Sequence, residues 1–406
     1  MSKITEKFAK LGVDNAPGQE KLQKAVDLPL IGEAIPGEPV NFSHGDVDAF
    51  LPLPGAIETF DQGFEEGGSQ AYTEYRGKKE IRDYLAEKLS EFSGAPVDPD
   101  TEIILTPGTQ GALFLAMGAL IAAGDKVAII EPDYFANRKL VEFFDGILYP
   151  VHLHYEDTKD SAGIDLAELE TAFKDGVKLF EFSNPNNPTG VIYSEEEIRG
   201  IAELASKYNA YLIVDELYSR QIFDHNPYTH LRALGIMNPD HLITIIGPSK
   251  TESLSGFRLG VAYGSAGIIA RMEKLQAIVS LRCAGYSQAV FKTWFNEPKG
   301  FMEERVAQHQ AIRDELVSLF QKEKGFSVRP TMGGSYIFPK VEGLTVSIED
   351  LVKIIRVQAG VTVTPGTEFG PEYTNCFRLN FSQDAKKAHD AIVRAITVIK
   401  RYQKLS

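Results

Sequence analysis

The sequence predicts an α/β protein: a mostly parallel, seven-stranded sheet sandwiched by helices, with a smaller α+β domain. Seven apolar runs rich in β-branched residues alternate with amphipathic segments, as expected for parallel strands joined by helices. A sheet of this kind is covered by helices on its faces. The predicted strands lie within residues 102–108, 126–132, 146–153, 177–185, 210–218, 241–250 and 257–264.

The helix over residues 194–208 is among those expected between these strands, because its apolar residues recur at helical spacing. From about residue 290 the pattern changes to long helical stretches and short strands, closed by a charged amphipathic helix near 384–403. The short strands lie within residues 326–339, 361–366 and 376–381.

This change of pattern predicts two domains. We expect a large cofactor-binding domain over residues 46–288, and an N-terminal arm with a small domain formed by residues 1–45 plus 289–406. The sequence has no internal repeat, low-complexity tract or extended linker, so the two domains should pack closely.

Composition and charge exclude several classes of function. The 406 residues are 43% hydrophobic and 24% charged, which is typical of a globular protein large enough for two domains. With 42 basic and 56 acidic side chains, the net charge of -14 would repel nucleic acid and anionic membranes. No stretch resembles a secretory signal or approaches the about 18 apolar residues of a membrane span.

The two cysteines, Cys283 and Cys376, are too few for a disulfide framework, and we expect both to be buried as small hydrophobic residues. A reducing compartment is the simpler assumption. The prediction is therefore a cytoplasmic protein that binds neither nucleic acid, membrane nor metal.

Polar and glycine-rich residues follow several of the predicted strands. The carboxyl ends of parallel strands meet at one edge of a sheet, which is where ligands bind in such folds. Gly108, Thr109 and Gln110 stand where a strand turns into a helix, and the free N–H groups there can bind an anion. A simple helix cap at Thr109 is the structural alternative.

Two further strand ends carry unusual residues. Asp215 ends a strongly apolar strand, where a carboxylate needs a cation or a donor; an ion pair with a nearby arginine is the structural alternative. The segment 247–260, GPSKTESLSGFRLG, sets Lys250 among small residues and hydroxyls, with Arg258 eight positions on. A lysine is usually a solvated surface cation, so Lys250 alone is a weak candidate for a catalytic residue. The residues at the other strand ends are what support a functional role for it.

Together these residues match the needs of pyridoxal phosphate: an anion site for the phosphate, a carboxylate for the ring nitrogen, donors for the ring oxygen and a lysine for the aldehyde. At this point the sequence resembles the fold-type I pyridoxal phosphate enzymes, and among them the class I/II aminotransferases with the aspartate aminotransferase fold. The resemblance runs from about residue 36 to the C-terminus. It rests on the order of the motifs along the chain.

The resemblance implies roles for the residues around the cofactor ring. Lys250 looks like the Schiff-base lysine, which also moves a proton between the substrate Cα and the cofactor. Asp215 looks like the acid that keeps the ring nitrogen protonated. Tyr218 and Asn187 look like donors to the ring oxygen, and Tyr134 falls where the family stacks an aromatic ring on the cofactor.

The resemblance also assigns the phosphate site and a partner subunit. Arg258 resembles the arginine that binds the phosphate, and Gly108, Thr109 and Gln110 match the phosphate loop. Tyr72 resembles the tyrosine that reaches the phosphate of a neighbouring subunit. That match implies a homodimer with shared active sites.

Substrate binding is implied at four positions. Arg378 matches the arginine that grips the substrate α-carboxylate, where a bidentate fork gives affinity and orientation. Gly45 matches the glycine whose backbone lies over the substrate, and Asn187 is expected near the substrate as well as the cofactor. Arg282 is a candidate for the distal carboxylate of a dicarboxylic substrate.

The chain departs from the common family pattern at two places. His44 precedes Gly45, and the run Asp46, Val47, Asp48 replaces the usual proline-bearing turn, so the two carboxylates could favour a basic substrate or form a solvated acidic loop. Gly247 stands where relatives often have a phosphate-binding hydroxyl; Ser249 is the candidate replacement.

The predicted function is an aminotransferase that moves an amino group from an L-amino acid to a 2-oxo acid by a ping-pong cycle through pyridoxamine phosphate. A decarboxylase, lyase, cyclase or oxidase of the same fold could use the same residues, since the reaction depends on which Cα bond lies perpendicular to the ring. A non-catalytic ligand sensor is disfavoured by the set of Lys250, Asp215 and Arg378. The amino donor is left open, with a slight preference for a dicarboxylate.

Overall fold

A computed structural model describes residues 2–11, 28–45 and 48–405. It confirms the predicted fold class, because a seven-stranded, mostly parallel sheet forms the centre of the molecule. Each of the seven predicted strands is present. They are β2 (Ile103–Pro107), β3 (Lys126–Glu131), β4 (Ile147–His152), β5 (Leu179–Ser183), β6 (Tyr211–Asp215), β7 (Leu242–Ile246) and β8 (Leu259–Gly264), numbered after a short strand β1 (Val40–Asn41).

The strands of the central sheet lie in the order β2-β8-β7-β6-β5-β3-β4. Strand β8 pairs antiparallel with both of its neighbours, and the other pairs are parallel. The start of β8 therefore lies at the same edge as the carboxyl ends of the parallel strands. That edge collects Arg258, which directly precedes β8, together with the residues that follow the other strands.

Helices surround the sheet. The predicted helix over residues 194–208 is Glu195–Tyr208, and it starts with a capping box between Ser194 and Glu197. The helices of the described residues are α1 (Lys3–Leu11), α2 (Ala56–Glu65), α3 (Gly68–Ala71), α4 (Lys79–Ser93), α5 (Gly108–Leu120), α6 (Phe135–Phe143), α7 (Leu166–Lys174), α8 (Glu195–Tyr208), α9 (Ala266–Val279), α10 (Phe301–Gln321), α11 (Ile348–Ala359) and α12 (Ala385–Ile399).

A separate hydrophobic cluster joins the C-terminal helices to residues near the N-terminus, such as Val40 and Phe42. Short strands border this cluster, and one of them, β10, carries Tyr336. They are β9 (Phe326–Ser327), β10 (Tyr336–Ile337), β11 (Lys340–Val341), β12 (Val361–Thr362), β13 (Thr364–Pro365) and β14 (Phe377–Asn380). Division into domains at residues 46 and 288 stays a prediction, and residue 46 lies outside the described residues.

The two cysteines and the lengths of the helices can be stated briefly. Cys283 and Cys376 are buried free thiols, as predicted. None of the helices in the described ranges is long and apolar enough to cross a bilayer.

Candidate active site

The strand ends meet at a cavity of about 220 Å³ on the carboxyl edge of the central sheet. Most of the residues singled out from the sequence line it, although they are far apart in the chain. Those that line it are Thr109, Gln110, Tyr134, Asn187, Asp215, Tyr218, Ser249, Lys250, Arg258 and Arg378. The structure thus brings ten of the predicted site residues together.

One end of the cavity is built for close backbone approach. Gly108 has φ of +75°, a conformation that favours glycine, and a Cβ on it would collide with the Arg258 guanidinium. The Gly108 N–H donates to the carbonyl oxygen of Arg258 at 2.9 Å, which fixes the start of α5 against the start of β8. The open N-terminus of α5 and the Arg258 cation therefore face one cavity, which suits an anion.

Gly247 is also explained by packing at this end. A Cβ there would lie 2.9 Å from Thr109 Cγ2, so a side chain with a hydroxyl has no room. Ser249 lies in the cavity wall, and its hydroxyl donates to the carbonyl oxygen of Leu259 at 3.3 Å. Its role as a replacement for a hydroxyl at position 247 stays a prediction.

Asp215 touches the cavity but is otherwise enclosed by protein. Burial raises the pKa of its carboxyl to about 6; Glu216 adds to the rise, while the Leu217 N–H and the Lys250 cation oppose it. The Leu217 N–H donates to Asp215 Oδ1 at 2.9 Å. In the described ranges no lysine or arginine forms an ion pair with Asp215, so the structural alternative weighed from the sequence is absent there.

Arg378 is a buried cation without a carboxylate partner among the residues described. Its Nη1 donates to Asn187 Oδ1 at 3.0 Å and its Nη2 donates to the Ser43 carbonyl oxygen at 3.1 Å, while its Nε has no partner within the described part of the chain. The guanidinium carbon lies 4.2 Å from the centre of the Tyr336 ring. A buried guanidinium held in this way is ready to receive an external carboxylate.

Tyr336 is a cavity residue that the sequence analysis missed. The Tyr218 hydroxyl donates to the Tyr336 hydroxyl at 2.8 Å, deep in the site. Burial would raise the pKa of Tyr336, but the Arg378 and Lys250 cations outweigh burial and lower it. The available signal was the glycine pair before it: Gly334, with φ of +81°, lies against the Tyr218 ring.

Three other residues discussed from the sequence lie in a neighbouring cavity. His44, Gly45 and Asp48 line a larger cavity of about 590 Å³, which shares Ser249 and Lys250 with the first. Asp46 lies outside the described residues.

Tyr72 and Arg282 contact each other and line neither cavity; Tyr72 is exposed and Arg282 is half-buried. The Arg282 guanidinium carbon is 5.2 Å from the centre of the Tyr72 ring, and Nη1 donates to the Thr73 carbonyl oxygen at 2.7 Å. The Tyr72 residue is 79% exposed. Neither residue lines the cavity that holds Lys250.

Comparison with known proteins places the chain in a family. The model of the aminotransferases of class I and II matches residues 38–396. An aspartate aminotransferase from Rhodobacter sphaeroides, known from its crystal structure, is 56% identical, has a TM-score of 0.95, and is matched over 99% of this chain and 100% of its own.

More distant relatives agree with this placement. The aspartate aminotransferase of Sulfurisphaera tokodaii is 28% identical over 368 residues, 87% of this chain and 88% of its own. YugH of Bacillus subtilis is 30% identical over 330 residues, 81% of this chain and 84% of its own. Because the family model spans most of the sequence, this chain belongs to the class I and II aminotransferases and is an enzyme that transfers amino groups.

Proposed function

We propose that the chain binds pyridoxal phosphate through Lys250 and moves an amino group from an L-amino acid to a 2-oxo acid in ping-pong order. The observation that carries this proposal is the convergence of Lys250, Asp215 and Arg378 on one cavity. Within the described residues, none of these three side chains has an ion-pair partner. A cofactor with an aldehyde and a basic ring nitrogen, and a substrate with a carboxylate, would supply the missing partners.

Pyridoxal phosphate, when bound, supplies an aldehyde carbon for an amine and a ring that withdraws electrons from the substrate Cα. Lys250 would hold the cofactor covalently through its Nζ. Once freed by the substrate amine, the same Nζ would serve as the base that moves the proton of the substrate Cα. Because both substrates need Arg378 and the same cavity, they bind in turn, which gives the ping-pong order.

Asp215 holds a proton on the ring nitrogen. With only the Leu217 N–H as a donor, its enclosed carboxylate has a raised pKa, and a cationic N–H group at the cavity floor would stabilise the charged form. The Lys250 amine is the other positive group that lowers this pKa. Asp215 would therefore hold the ring nitrogen of the cofactor, and Lys250 would hold its aldehyde carbon.

Tyr218 and Asn187 donate to the ring oxygen. The Asn187 Oδ1 already accepts from Arg378, so its Nδ2 is the atom left to donate into the cavity. The Tyr218 hydroxyl donates to Tyr336 and lines the cavity. With its single hydrogen directed to the ring oxygen, it would instead accept the hydrogen of the Tyr336 hydroxyl. Tyr336 then positions Tyr218 and carries the Arg378 guanidinium on its ring face.

We predict that Tyr336→Phe lowers kcat/KM about tenfold, because one hydrogen bond in a buried site contributes on the order of 1 kcal/mol. The phenylalanine ring keeps the contact with Arg378 and removes only the hydroxyl that holds Tyr218. Steady-state kinetics with a matched control, Tyr208→Phe, checks this: the Tyr208 hydroxyl bonds Glu170 on α7, away from the cavity. Equal kinetics for Tyr336→Phe and the wild type would contradict the role.

Thr109 and Gln110 at the start of α5 would bind the phosphate together with Arg258 and Ser249. The Gly108 N–H is taken by the Arg258 carbonyl oxygen, so Gly108 would serve the phosphate loop by allowing the Arg258 side chain to approach closely. Tyr134 stacks on the ring; its hydroxyl donates to Gln110 Oε1 at 3.0 Å, which links the ring wall to the phosphate loop.

We propose a homodimer in which Tyr72 and Arg282 act in the partner's site. Their contact with each other places both side chains in the same region of the surface that a partner subunit would cover. Exposed apolar residues precede Arg282 in the chain, with Ile278 81% and Val279 56% exposed. Such a surface is typical of a protein interface. A location in the cytoplasm stays a prediction.

The proposed substrates are aspartate and glutamate with their 2-oxo acids. The relative from Rhodobacter sphaeroides is an aspartate aminotransferase, and at 56% identity over nearly the whole chain it supports the same substrate class here. Arg282 is the candidate for the distal carboxylate, across the subunit interface. The α-carboxylate binds Arg378.

We predict that Arg282→Ala raises KM for aspartate and glutamate by roughly 10- to 100-fold, the range for a lost charged hydrogen bond, while neutral amino acids keep their KM. Kinetics with aspartate, glutamate and alanine check this, with Arg271→Ala on α9 as an exposed control.

Mixing Arg282→Ala with a variant that lacks the Lys250 amine should recover aspartate activity, since one site of each mixed dimer is then intact. A loss that is equal for charged and neutral donors, or no recovery on mixing, would contradict the shared site.

A second candidate substrate is a basic amino acid. Asp48 lines the larger cavity beside Lys250, and a carboxylate there could bind a cationic side chain. If arginine, lysine or ornithine is the best donor and Asp48→Asn removes that preference, this candidate replaces the dicarboxylate.

The function as a whole is tested by a half-reaction. Cofactor-loaded protein is mixed with a panel of amino acids, and the visible absorbance of the cofactor and the released products are followed. Loss of absorbance with release of a 2-oxo acid supports transamination. Release of CO2, ammonia or peroxide instead would replace it with a decarboxylase, lyase or oxidase.

A further inference from the structure

Glu181 is a fully buried carboxyl group in the middle of the central sheet. It is the third residue of β5, which pairs with β3 on one side and β6 on the other. Alternation along the strand puts its side chain on the same face as Ser183, which is paired with Asp215. Glu181 therefore lies directly below the site, one pleat further from the cavity.

The Glu181 carboxyl has no donor. Neither of its oxygens accepts a hydrogen bond from any described residue, and both are shielded from solvent. An ionised carboxylate without donors or a counter-ion is very costly in such a position. A neutral carboxylic acid, which needs an acceptor for its own proton, fits better.

Asp133, which follows β3, is the acceptor that the Glu181 carboxyl can reach. Unlike Glu181, Asp133 has hydrogen-bond donors of its own. It accepts from the Ser183 hydroxyl at 2.7 Å and from Asn137 Nδ2 at 2.8 Å. Burial raises the pKa of Asp133 to about 7, and its two donors oppose that rise, whereas the pKa of Glu181 is raised well above its usual range. Asp133 is therefore the member of the pair that ionises first.

We propose that Glu181 is protonated and donates its hydrogen to the Asp133 carboxylate, and that this buried acid pair positions Asn187 in the active site. The titratable groups that interact electrostatically with the pair include Asp215 and Tyr193. Burial raises the pKa of Glu181 well above its usual range, and the Asp133 charge raises it further.

Ser183 connects the pair to the site. Its hydroxyl donates to Asp133 and accepts from the Asn187 backbone N–H at 3.2 Å, so the charge on Asp133 fixes the direction of the hydroxyl. Asn187 then presents Oδ1 to Arg378 at 3.0 Å. Three residues, Asp133, Ser183 and Asn187, thus connect Glu181 to the cation that we propose for the substrate carboxylate.

The positioning role rests on the proposed function, whereas the proton on Glu181 does not, and the two are tested separately. For the proton, thermal unfolding of the cofactor-free and cofactor-loaded protein is measured from pH 5 to pH 8. The pKa of Glu181 is higher in the folded protein than its ordinary value of 4.5, so the folded state binds this proton more tightly. The contribution of Glu181 to the free energy of unfolding is therefore largest below pH 4.5 and decreases as the pH rises.

Glu181→Gln does not titrate, so its Tm should rise relative to the wild type as the pH increases. Glu203→Gln on α8, an exposed control, should track the wild type at every pH. A constant difference between Glu181→Gln and the wild type would overturn the protonated state.

For the positioning role, Ser183→Ala and Glu181→Leu are compared with Glu181→Gln in the loaded enzyme. Both Ser183→Ala and Glu181→Leu should raise the Kd for pyridoxal phosphate and the KM for the amino acid about tenfold, with a smaller change in kcat. Glu181→Gln keeps a donor for Asp133 and should recover most of the loss seen in Glu181→Leu.

An unchanged Kd and KM in Ser183→Ala would overturn the link to Asn187, and so would a Glu181→Gln variant as poor as Glu181→Leu. If the protein binds no pyridoxal phosphate at all, the proposed function fails, and the pH dependence of unfolding still reports the state of Glu181.

Discussion

Lys250→Ala is expected to abolish amino-group transfer and to leave pyridoxal phosphate without a covalent attachment. The variant loses the amine that holds the cofactor and the base that moves the Cα proton. General acid–base catalysis alone contributes roughly 10²- to 10⁴-fold. The side chain lies in the walls of two cavities and has no hydrogen-bond partner among the described residues, so its removal should leave the fold intact.

Borohydride reduction of the loaded wild type, followed by peptide mapping, should tag the peptide that contains Lys250. Lys274→Ala, an exposed lysine on α9, serves as the control and should keep both the tag and the activity. A tag on another lysine, or turnover in Lys250→Ala within tenfold of the wild type, would remove Lys250 from the mechanism.

The parts of the site that could be predicted from the sequence are those whose chemistry sits at a strand end. Asp215 ends β6, Lys250 follows β7, and Gly108 follows β2, so the rule that ligands bind at the carboxyl edge was enough to group them. Arg258 obeys the same rule for another reason, since β8 runs antiparallel and begins at that edge. In each case local sequence and sheet topology carry the information.

Tyr336 and Glu181 could not be found in this way. Tyr336 comes from a two-residue strand of the C-terminal region, and only tertiary packing brings its hydroxyl to Tyr218. In the sequence, Glu181 is a single charged residue within an apolar strand. Its proposed role depends on a contact with Asp133, which is distant in sequence. No periodicity or motif encodes such contacts, because they arise from the way separate elements pack.

Arg282 and Tyr72 show a third kind of limit. The resemblance assigned both residues to the active site, whereas in the structure of one chain they contact each other outside the lining of both cavities. Both placements are compatible when a partner subunit completes the site. A single sequence carries no direct signal for which side of an interface a residue serves.

Asp215→Asn is expected to keep the fold and to lose roughly a thousandfold in kcat, which corresponds to about 4 kcal/mol in the barrier. An amide cannot hold a proton on the ring nitrogen, so the ring no longer withdraws electrons from the substrate Cα. Asp390→Asn on α12, an exposed aspartate, is the matched control and should turn over normally.

A second measurement separates this role from general damage. The pKa of Asp215 is about 6 in the folded protein and 3.8 in its ordinary state, so without cofactor its contribution to stability is full below pH 3.8 and is lost as the pH rises through 6. Cofactor-free Asp215→Asn should therefore gain Tm relative to the wild type over that range. Added pyridoxal phosphate should stabilise the wild type more than the variant, because only the carboxylate pairs with a protonated ring nitrogen. Equal stabilisation of both proteins, or near-native turnover by Asp215→Asn, would show that the ring nitrogen does not meet Asp215.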